Sequence, residues 1–174
     1  MRLPRRYAPR NDNHSHPALS PQGRELNRNN LLVIAPTSSG KTFIGEMAAV
    51  FGEVAEGISD TGVCLCIEFN WSPLVKSLRT AAAIARRSQR PNVCGLFDPA
   101  HYHCTPTKFD QLTAENVALI RHVHVDDIRD KPAELSNCNS ARVLPGQGIL
   151  DLRALFGRLE EHGYQGLFSI EMFS

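Results

Sequence analysis

VCLCIEF, residues 63–69, is the first of four strand-like segments that each end in a side chain able to bind a metal. The other three read VCGLFDPAH (93–101), IRHVHVDD (120–127) and LFSIEMF (167–173). The groups near their carboxyl ends are Glu68, Asp98 with His101, His124 with Asp126, and Glu171. Because parallel strands of an α/β sheet or barrel converge at those ends, where active sites form, we expect one site there.

Helical patterns lie between these segments and give the chain a regular alternation. Helices are expected at about residues 43–59, 73–87, 108–118 and 151–162, the first two from apolar residues at helical spacing. A long polar loop is expected over 129–148. Strands that alternate with helices of this length are typical of parallel βα units, so the sequence predicts an α/β fold.

The bulk properties of the chain indicate one soluble globular domain, with or without an appendage. It has 174 residues, of which 42% are hydrophobic and 21% charged, and its net charge is +1. This balance argues against a nucleic-acid partner, and no run approaches the roughly 18 apolar residues that a membrane helix needs. The five cysteines are odd in number and form no C-x-x-C pair. They argue against a disulfide framework and predict a cytoplasmic protein.

The first 29 residues differ from the rest of the chain. They are rich in proline, arginine, asparagine and histidine and show almost no periodicity. This composition predicts a disordered basic tail over 1–29. A loose metal site at His14 and His16 is the weaker alternative.

The groups at the strand ends suit metal-assisted proton transfer. Side chains two apart on a strand share a face, so His122 and His124 point the same way. Hard divalent ions favour carboxylates with some imidazole. Two opposed glutamates could move a proton between adjacent carbons of a hydroxy-carbonyl substrate while the metal polarises the carbonyl. For Glu68 or Glu171 alone, a rim carboxylate paired with an arginine is the simpler interpretation.

Several stretches resemble the xylose-isomerase-like TIM barrels, a family of sugar isomerases and epimerases. They are GVCLCIEF, RPNVCGLFDPAHYH, IRHVHVDD, RVLPGQGILDLRALFGRLEEHGYQG and FSIEMF. The resemblance runs in order from about residue 47 to 174 and covers the C-terminal half of that barrel. It implies a divalent-metal-dependent isomerase or epimerase that acts on a small sugar or keto acid.

The resemblance also implies roles for individual residues. The implied metal ligands are Glu68, Asp98, His124 and Glu171, and the ion would be Mg, Mn, Co or Zn. Glu68 and Glu171 also match the two carboxylates that transfer the proton. His101 matches a histidine that contacts substrate, and Arg142 lies where the family closes a loop over the site.

Some features depart from the family pattern. Gln147 replaces an acid in the usual PGEG loop, and Ala141-Arg142-Val143 stands where the endonuclease IV branch has a D-R-H triplet. A full barrel needs eight strands and about 250 residues, whereas this chain offers four good barrel strands. We therefore expect a partial (half) TIM barrel whose open edges favour a homodimer. A truncated or inactive remnant is an open alternative.

APTSSGKT, residues 35–42, has most features of a phosphate-binding loop. Backbone amides at the start of the following helix would surround a phosphate, Lys41 would reach its oxygens and Thr42 would hold Mg²⁺. Ala35 replaces the first glycine, and residues 30–50 resemble motif I of superfamily 2 DEAD/DEAH-type helicases. The nucleotide contacts implied by this resemblance are Gly40, Lys41 and Thr42.

The rest of the sequence gives this loop little support as an ATPase. No Walker B or DExH strand follows it, and without a carboxylate to orient Mg²⁺ and water, ATP is not an expected cofactor. The alternative function is a nucleotide-binding P-loop module. The simpler interpretation gives this segment no function beyond that of a strand and helix packed beside the half-barrel. The predicted organisation is a tail (1–29), a helicase-like strand, P-loop and helix (30–46) and the half-barrel (47–174).

Overall fold

The computed structural model describes residues 31–33, 43–71, 74–129 and 132–173. The predicted tail over 1–29 lies outside these residues. The predicted nucleotide contacts Gly40, Lys41 and Thr42 lie outside them as well, so both stay predictions.

Parallel βα units make up the described part of the chain. In chain order the elements are β1 (Leu31–Val33), α1 (Phe43–Gly57), β2 (Cys64–Glu68), α2 (Leu78–Ser88), β3 (Val93–Phe97), α3 (Pro99–Cys104), α4 (Ala114–Val117), β4 (Ile120–Val125), β5 (Asp127–Ile128), β6 (Arg142–Val143), α5 (Leu152–Glu161) and β7 (Leu167–Ile170). Among the described residues, β1, β2, β3, β4 and β7 form one sheet in that order, and each neighbouring pair is parallel. The predicted α/β fold, a partial barrel, is confirmed.

Alternating side chains give the sheet two different faces. On one face, apolar side chains of the strands pack with α1, α2 and α5 in the main core. On the other, Cys64, Cys66, Cys94 and Leu96 form a smaller apolar cluster. His122, which pairs with Leu96 across the strands, stacks edge to face on His124 with ring centroids 5.2 Å apart. The shared face predicted for the two histidines is therefore present, and it leads to the carboxyl ends of the strands.

Two helices differ from the sequence-based expectation because local caps set their ends. α2 begins at Leu78, later than the predicted start near residue 73, where the Ser77 hydroxyl accepts a hydrogen bond from the amide of Thr80 at 3.2 Å. The helix predicted over 108–118 is instead a 3₁₀ turn, Phe109–Gln111, followed by α4. Leu112 breaks the helix between them, with φ −79° and ψ 63°. No helix in the described part of the chain combines the length and apolar character that crossing a bilayer takes.

The segment predicted as a long polar loop over 129–148 contains the short strand β6. This strand pairs antiparallel with β5, and Arg142 stands opposite Ile128. Arg142 is thereby carried to the same end of the sheet as the strand-end carboxylates.

The last strand forms an edge of the sheet. β7 ends at Ile170, so Glu171 follows the strand rather than lying within it. Within the described residues, β7 pairs with β4 alone. Leu167 is 53% exposed and Ile170 is 67% exposed, which is unusual for apolar side chains of a barrel strand.

Candidate metal centre

Four side chains predicted to bind a metal meet at the carboxyl ends of the strands. Glu68 is the last residue of β2, Asp98 follows β3, His124 lies in β4 and Glu171 follows β7. One ligand-type atom from each lies within 4.8 Å of the corresponding atom of every other. Four strands that are distant in sequence thus bring three carboxylates and one imidazole to one place.

His124 Nδ1 faces all three carboxylates of this cluster. It lies 3.0 Å from Glu171 Oε2, 3.2 Å from Asp98 Oδ2 and 3.4 Å from Glu68 Oε1. Burial lowers the pKa of His124, but its contacts with the three carboxylates outweigh this effect and raise the pKa to about 11. Because one ring nitrogen carries one proton at most, a proton on Nδ1 cannot satisfy three carboxylates equally.

Asp98 uses its two oxygens for different purposes. Oδ1 caps α3 by accepting a hydrogen bond from the amide of His101 at 2.8 Å. Oδ2 faces His124 Nδ1 and accepts a hydrogen bond from Arg142 Nη1 at 2.8 Å. Burial acts to raise the pKa of Asp98, but its contacts with His124, His101 and Arg142 hold it well below the usual range. Asp98 is therefore ionised, with one oxygen directed at the cluster.

Arg142 is the buried cation of the site. Its Nη1 atom forms ion pairs with Asp98, with Asp126 and, at 3.0 Å, with Glu171 Oε2. Its Nε atom donates a hydrogen bond to the carbonyl of Cys138 at 2.7 Å. The guanidinium is fully buried against the carboxylates, and its predicted contact with substrate stays a prediction.

Asp126 holds Arg142 in place, a role that the sequence did not reveal. One carboxylate oxygen pairs with Arg142 Nη1, and the other accepts a hydrogen bond from the amide of Ala100 at 3.0 Å. Burial and the neighbouring Asp98 carboxylate raise the pKa of Asp126 to about 8. Its place at the end of a predicted strand was visible in the sequence, but the identity of its partner was not.

The charges of the site favour a divalent cation. The carboxyls of Asp98, Asp126 and Glu171 pair with Arg142, and Glu68 faces His124 and His101. Glu68 Oε1 is buried, and among the described residues it has these ion-pair contacts but no hydrogen bond of normal geometry. A divalent ion would bind this oxygen and take the place of the proton that His124 shares with the carboxylates. Carboxylates with one imidazole suit Mg, Mn, Co or Zn.

His101 borders the cluster. Its Nε2 atom lies 3.6 Å from Glu68 Oε1 and 3.3 Å from Arg142 Nη2. Burial acts to lower the pKa of His101, but its contacts with Cys138, Asp98 and Glu68 raise the pKa overall. The predicted contact of His101 with substrate stays a prediction, and its position beside Glu68 supports it.

His122 lies one step further from the cluster. Its Nε2 atom hydrogen-bonds with Ser169 Oγ at 2.7 Å. Burial and the neighbouring His124 lower the pKa of His122. We infer that it supports the His124 ring by edge-to-face packing.

Asp127 organises the loop LPGQGIL, residues 144–150. Its Oδ2 atom accepts hydrogen bonds from the amides of Gly146 at 3.1 Å and Gly148 at 2.9 Å, and Oδ1 accepts one from Leu150 at 3.0 Å. A Cβ atom on Gly148 would collide with the Asp127 carboxylate. Sequence reasoning missed this role, although a carboxylate next to a strand end and a Pro-Gly loop were both visible.

A cluster of carboxylates and a histidine at the carboxyl ends of parallel strands is typical of α/β-barrel proteins that have a metal site. The chain belongs to the xylose isomerase-like TIM barrel family, which matches residues 24–174. The matched range includes residues 30–46, the segment predicted to be helicase-like, and that prediction has no support from the comparisons.

Individual relatives show which members of the family are similar to this chain. The chain is 31% identical to an inosose isomerase of Bacillus velezensis over 128 residues, which cover 72% of this chain and 45% of the relative. It is 27% identical to an inosose dehydratase of Yersinia enterocolitica over 140 residues, with 72% and 46% covered. The crystal structure of the IOLI protein with a binding zinc atom is similar with a TM-score of 0.73 and 27% identity, covering 82% of this chain and 54% of that one. The chain thus spans about half the length of these relatives.

Proposed function

We propose that this chain is a divalent-metal-dependent isomerase or epimerase of a small sugar or keto acid. The observation that carries the proposal is the convergence of Glu68, Asp98, His124 and Glu171 within 4.8 Å. Family membership supports it, as does similarity to a protein named inosose isomerase. Inososes are therefore the first substrates to test.

We propose that the two glutamates transfer the proton. Glu68 on β2 and Glu171 after β7 are separated by β3 and β4, and their side chains are 13% and 31% exposed. In the proposed isomerisation one glutamate, as the carboxylate, removes the proton from the hydroxyl-bearing carbon beside the carbonyl. The other, as the carboxylic acid, gives a proton to the carbonyl carbon, and the hydroxyl proton passes to the carbonyl oxygen. In an epimerisation the proton is returned instead to the opposite face of the same carbon. A divalent ion, when bound, would polarise the substrate carbonyl and offset the negative charge that develops.

The remaining side chains of the site would hold the ion and the substrate. Asp98 and His124 would bind the metal together with the two glutamates. Arg142 and His101 lie beside the ligand carboxylates, and we propose that they bind hydroxyl or carbonyl oxygens of the substrate. The chain spans about half the length of its relatives, so their activity cannot simply be assigned to it. We propose that this chain is itself catalytic. An inactive remnant that keeps the cluster is the competing interpretation.

Metal binding is tested by calorimetric titration of the full chain with Mn²⁺ and Zn²⁺ after treatment with a chelator. We expect binding that Asp98→Asn weakens by at least about tenfold, because the amide removes a ligand charge but can still cap α3. Asp110→Asn, an exposed carboxylate on the 3₁₀ turn, is the matched control and should leave the affinity unchanged. Absence of binding, or an equal loss in both variants, would overturn the proposal.

Proton transfer is tested separately by NMR in heavy water with an inosose as substrate. The metal-loaded protein should introduce deuterium at the carbon beside the carbonyl, and Glu171→Gln should stop this exchange. Metal binding without any exchange would favour the inactive remnant.

We also propose that the open edge of the sheet associates with a second copy of the chain. β7 presents an unpaired edge within the described residues and carries the exposed side chains of Leu167 and Ile170. Edges of this kind favour association. Light scattering after size exclusion should show a dimer that Ile170→Lys converts to a monomer, and a monomeric wild type would contradict the proposal.

We propose a cytoplasmic location on the basis of the cysteines. All five lie within the described residues and are free thiols. Proteins with several free thiols are typical of reducing compartments. Cell fractionation tests this location, and recovery of the protein outside the cytoplasm would contradict it.

A further inference from the structure

Two cysteines lie side by side next to the metal centre. Cys104 is the last residue of α3, and Cys138 lies in the loop before β6. Both pack in a small apolar cluster that includes Ala100, and each thiol shifts the pKa of the other. They connect the helix that Asp98 caps with the segment that carries Arg142.

We propose that Cys104 and Cys138 form a reversible disulfide in the folded protein and that this bond weakens the metal centre. The formation of the disulfide depends on the two thiols alone. The effect of the disulfide on the metal centre rests on the metal binding proposed above. Together they make the metal affinity of the site depend on the thiol and disulfide content of its surroundings.

Cys104 is the thiol that reacts first. It is partly exposed, whereas Cys138 is buried. The neighbouring Cys138 thiol lowers the pKa of Cys104, although burial acts in the opposite direction. The Cys104 thiol, together with burial, raises the pKa of Cys138. A thiolate that solvent can reach is the form that attacks a disulfide.

Reaction with a low-molecular-weight disulfide such as glutathione disulfide needs no other reagent. The Cys104 thiolate attacks one sulphur, forms a mixed disulfide and releases one thiolate. Cys138 gives its proton to that thiolate, attacks the Cys104 sulphur and releases the second thiolate, which takes up the proton that Cys104 lost on ionisation. Two protein thiols are oxidised to one disulfide, and the reagent is reduced to two thiols.

The three cysteines on the strands differ from this pair. Cys66 and Cys94 are buried, and burial raises the pKa of both thiols, that of Cys94 to about 12. Cys64 is half-buried and hydrogen-bonds to Cys94, but the parallel pairing of β2 with β3 fixes the backbone of both. Cys64 is therefore a matched control for Cys104.

The disulfide acts on the site through Cys138. The carbonyl of Cys138 accepts the hydrogen bond from Arg142 Nε at 2.7 Å, and its thiol interacts with His101. An S–S bond of about 2.05 Å is shorter than any non-bonded contact between two sulphurs, so closure draws Cys138 towards α3. This displaces the carbonyl that orients Arg142, the partner of Asp98.

The disulfide itself is tested on the folded, reduced full chain with glutathione disulfide as the reagent. Free-thiol titration should show the loss of two thiols, and peptide mapping should link Cys104 to Cys138. Cys104→Ser and Cys138→Ala should each prevent the link, whereas Cys64→Ser should retain it. A stable mixed disulfide at Cys104, or a link between other cysteines, would overturn the proposal.

The effect on the site is tested by calorimetric titration of the reduced and oxidised protein with Mn²⁺. The oxidised form should bind about tenfold more weakly, and dithiothreitol should restore the affinity. Equal affinities would overturn the coupling while leaving the disulfide intact. If neither form binds the metal, the coupling and the proposed function both fail, and the thiol titration still decides the disulfide.

Discussion

Replacement of Arg142 by methionine tests how the buried carboxylates of the metal centre are held. Methionine has a similar length but no charge, so Asp98 and Asp126 lose their buried partner. Removing one partner from a buried ion pair typically costs about 3–5 kcal/mol. Because the pKa of Asp126 is raised to about 8, that carboxyl is mostly protonated at neutral pH, and Asp98 is the principal charge that loses a partner, with His124 as its remaining one. We expect the free energy of unfolding to fall by about 3 kcal/mol at neutral pH, the lower end of that range.

The loss should depend on pH in a defined direction. Without Arg142, the pKa of the Asp98 carboxyl in the folded variant rises above its wild-type value, which is well below the usual range. The loss relative to the wild type is therefore absent where Asp98 is protonated in both proteins, and it grows as the pH rises from the wild-type pKa towards that of the variant. Metal-free protein would be unfolded with urea and followed by circular dichroism at neutral pH and at about pH 5.

A matched arginine provides the control. Arg90 pairs with Glu56 where both side chains are exposed, and Arg90→Met should cost no more than about 0.5 kcal/mol. Saturating Mn²⁺ should recover part of the loss in Arg142→Met, because the ion supplies positive charge to the same carboxylates. A loss no larger than that of the control, or one that does not change with pH, would refute the reasoning.

The remaining predictions concern the loop at residues 144–150, the proton on His124 and the N-terminal cap of α2. Gly148→Ala should cost more than about 2 kcal/mol because its Cβ would collide with the Asp127 carboxylate. Gly146→Ala should cost about 1 kcal/mol, because Gly146 has a φ of +83° although a Cβ there would meet no other atom. Equal losses of stability for the two variants on urea unfolding would contradict this prediction. Since the pKa of His124 is raised to about 11 and only neutral imidazole binds a metal, metal binding at neutral pH should release about one proton and tighten as the pH rises. Calorimetry in buffers of different ionisation enthalpy measures the proton, and no release would argue against His124 as a ligand. Ser77→Ala should lower stability by about 1 kcal/mol through loss of the α2 cap, and an unchanged thermal midpoint would show that the cap contributes nothing.

Much of the candidate site follows from one local rule. Side chains alternate along a strand, and the carboxyl ends of parallel strands meet, so the positions of Glu68, Asp98 and His124 could be predicted from the sequence. Strands β2, β3 and β4 lie within the predicted segments. The rule needs no knowledge of partners, which is why it works on a single sequence.

The contacts that organise the site could not be predicted in this way. The hydrogen bond between Arg142 and Asp98 joins residues 44 positions apart, and no periodic pattern marks such a pair. The predicted helix over 108–118 was wrong because Leu112 leaves helical geometry and Thr113 starts a new cap. Both outcomes depend on tertiary packing or on a single backbone torsion, and neither is encoded in hydrophobic spacing.

The cap that Asp98 provides for α3 also limits how that side chain can coordinate. Because Oδ1 accepts the hydrogen bond from the amide of His101, Oδ2 is the oxygen that faces the cluster, and Asp98 would bind an ion through that atom. With one atom each from Glu68, His124 and Glu171, the described residues would supply four donors. An ion that prefers six-fold coordination would keep two positions for ligands from solution. Two is the number of oxygens with which a neighbouring hydroxyl and carbonyl can chelate a metal.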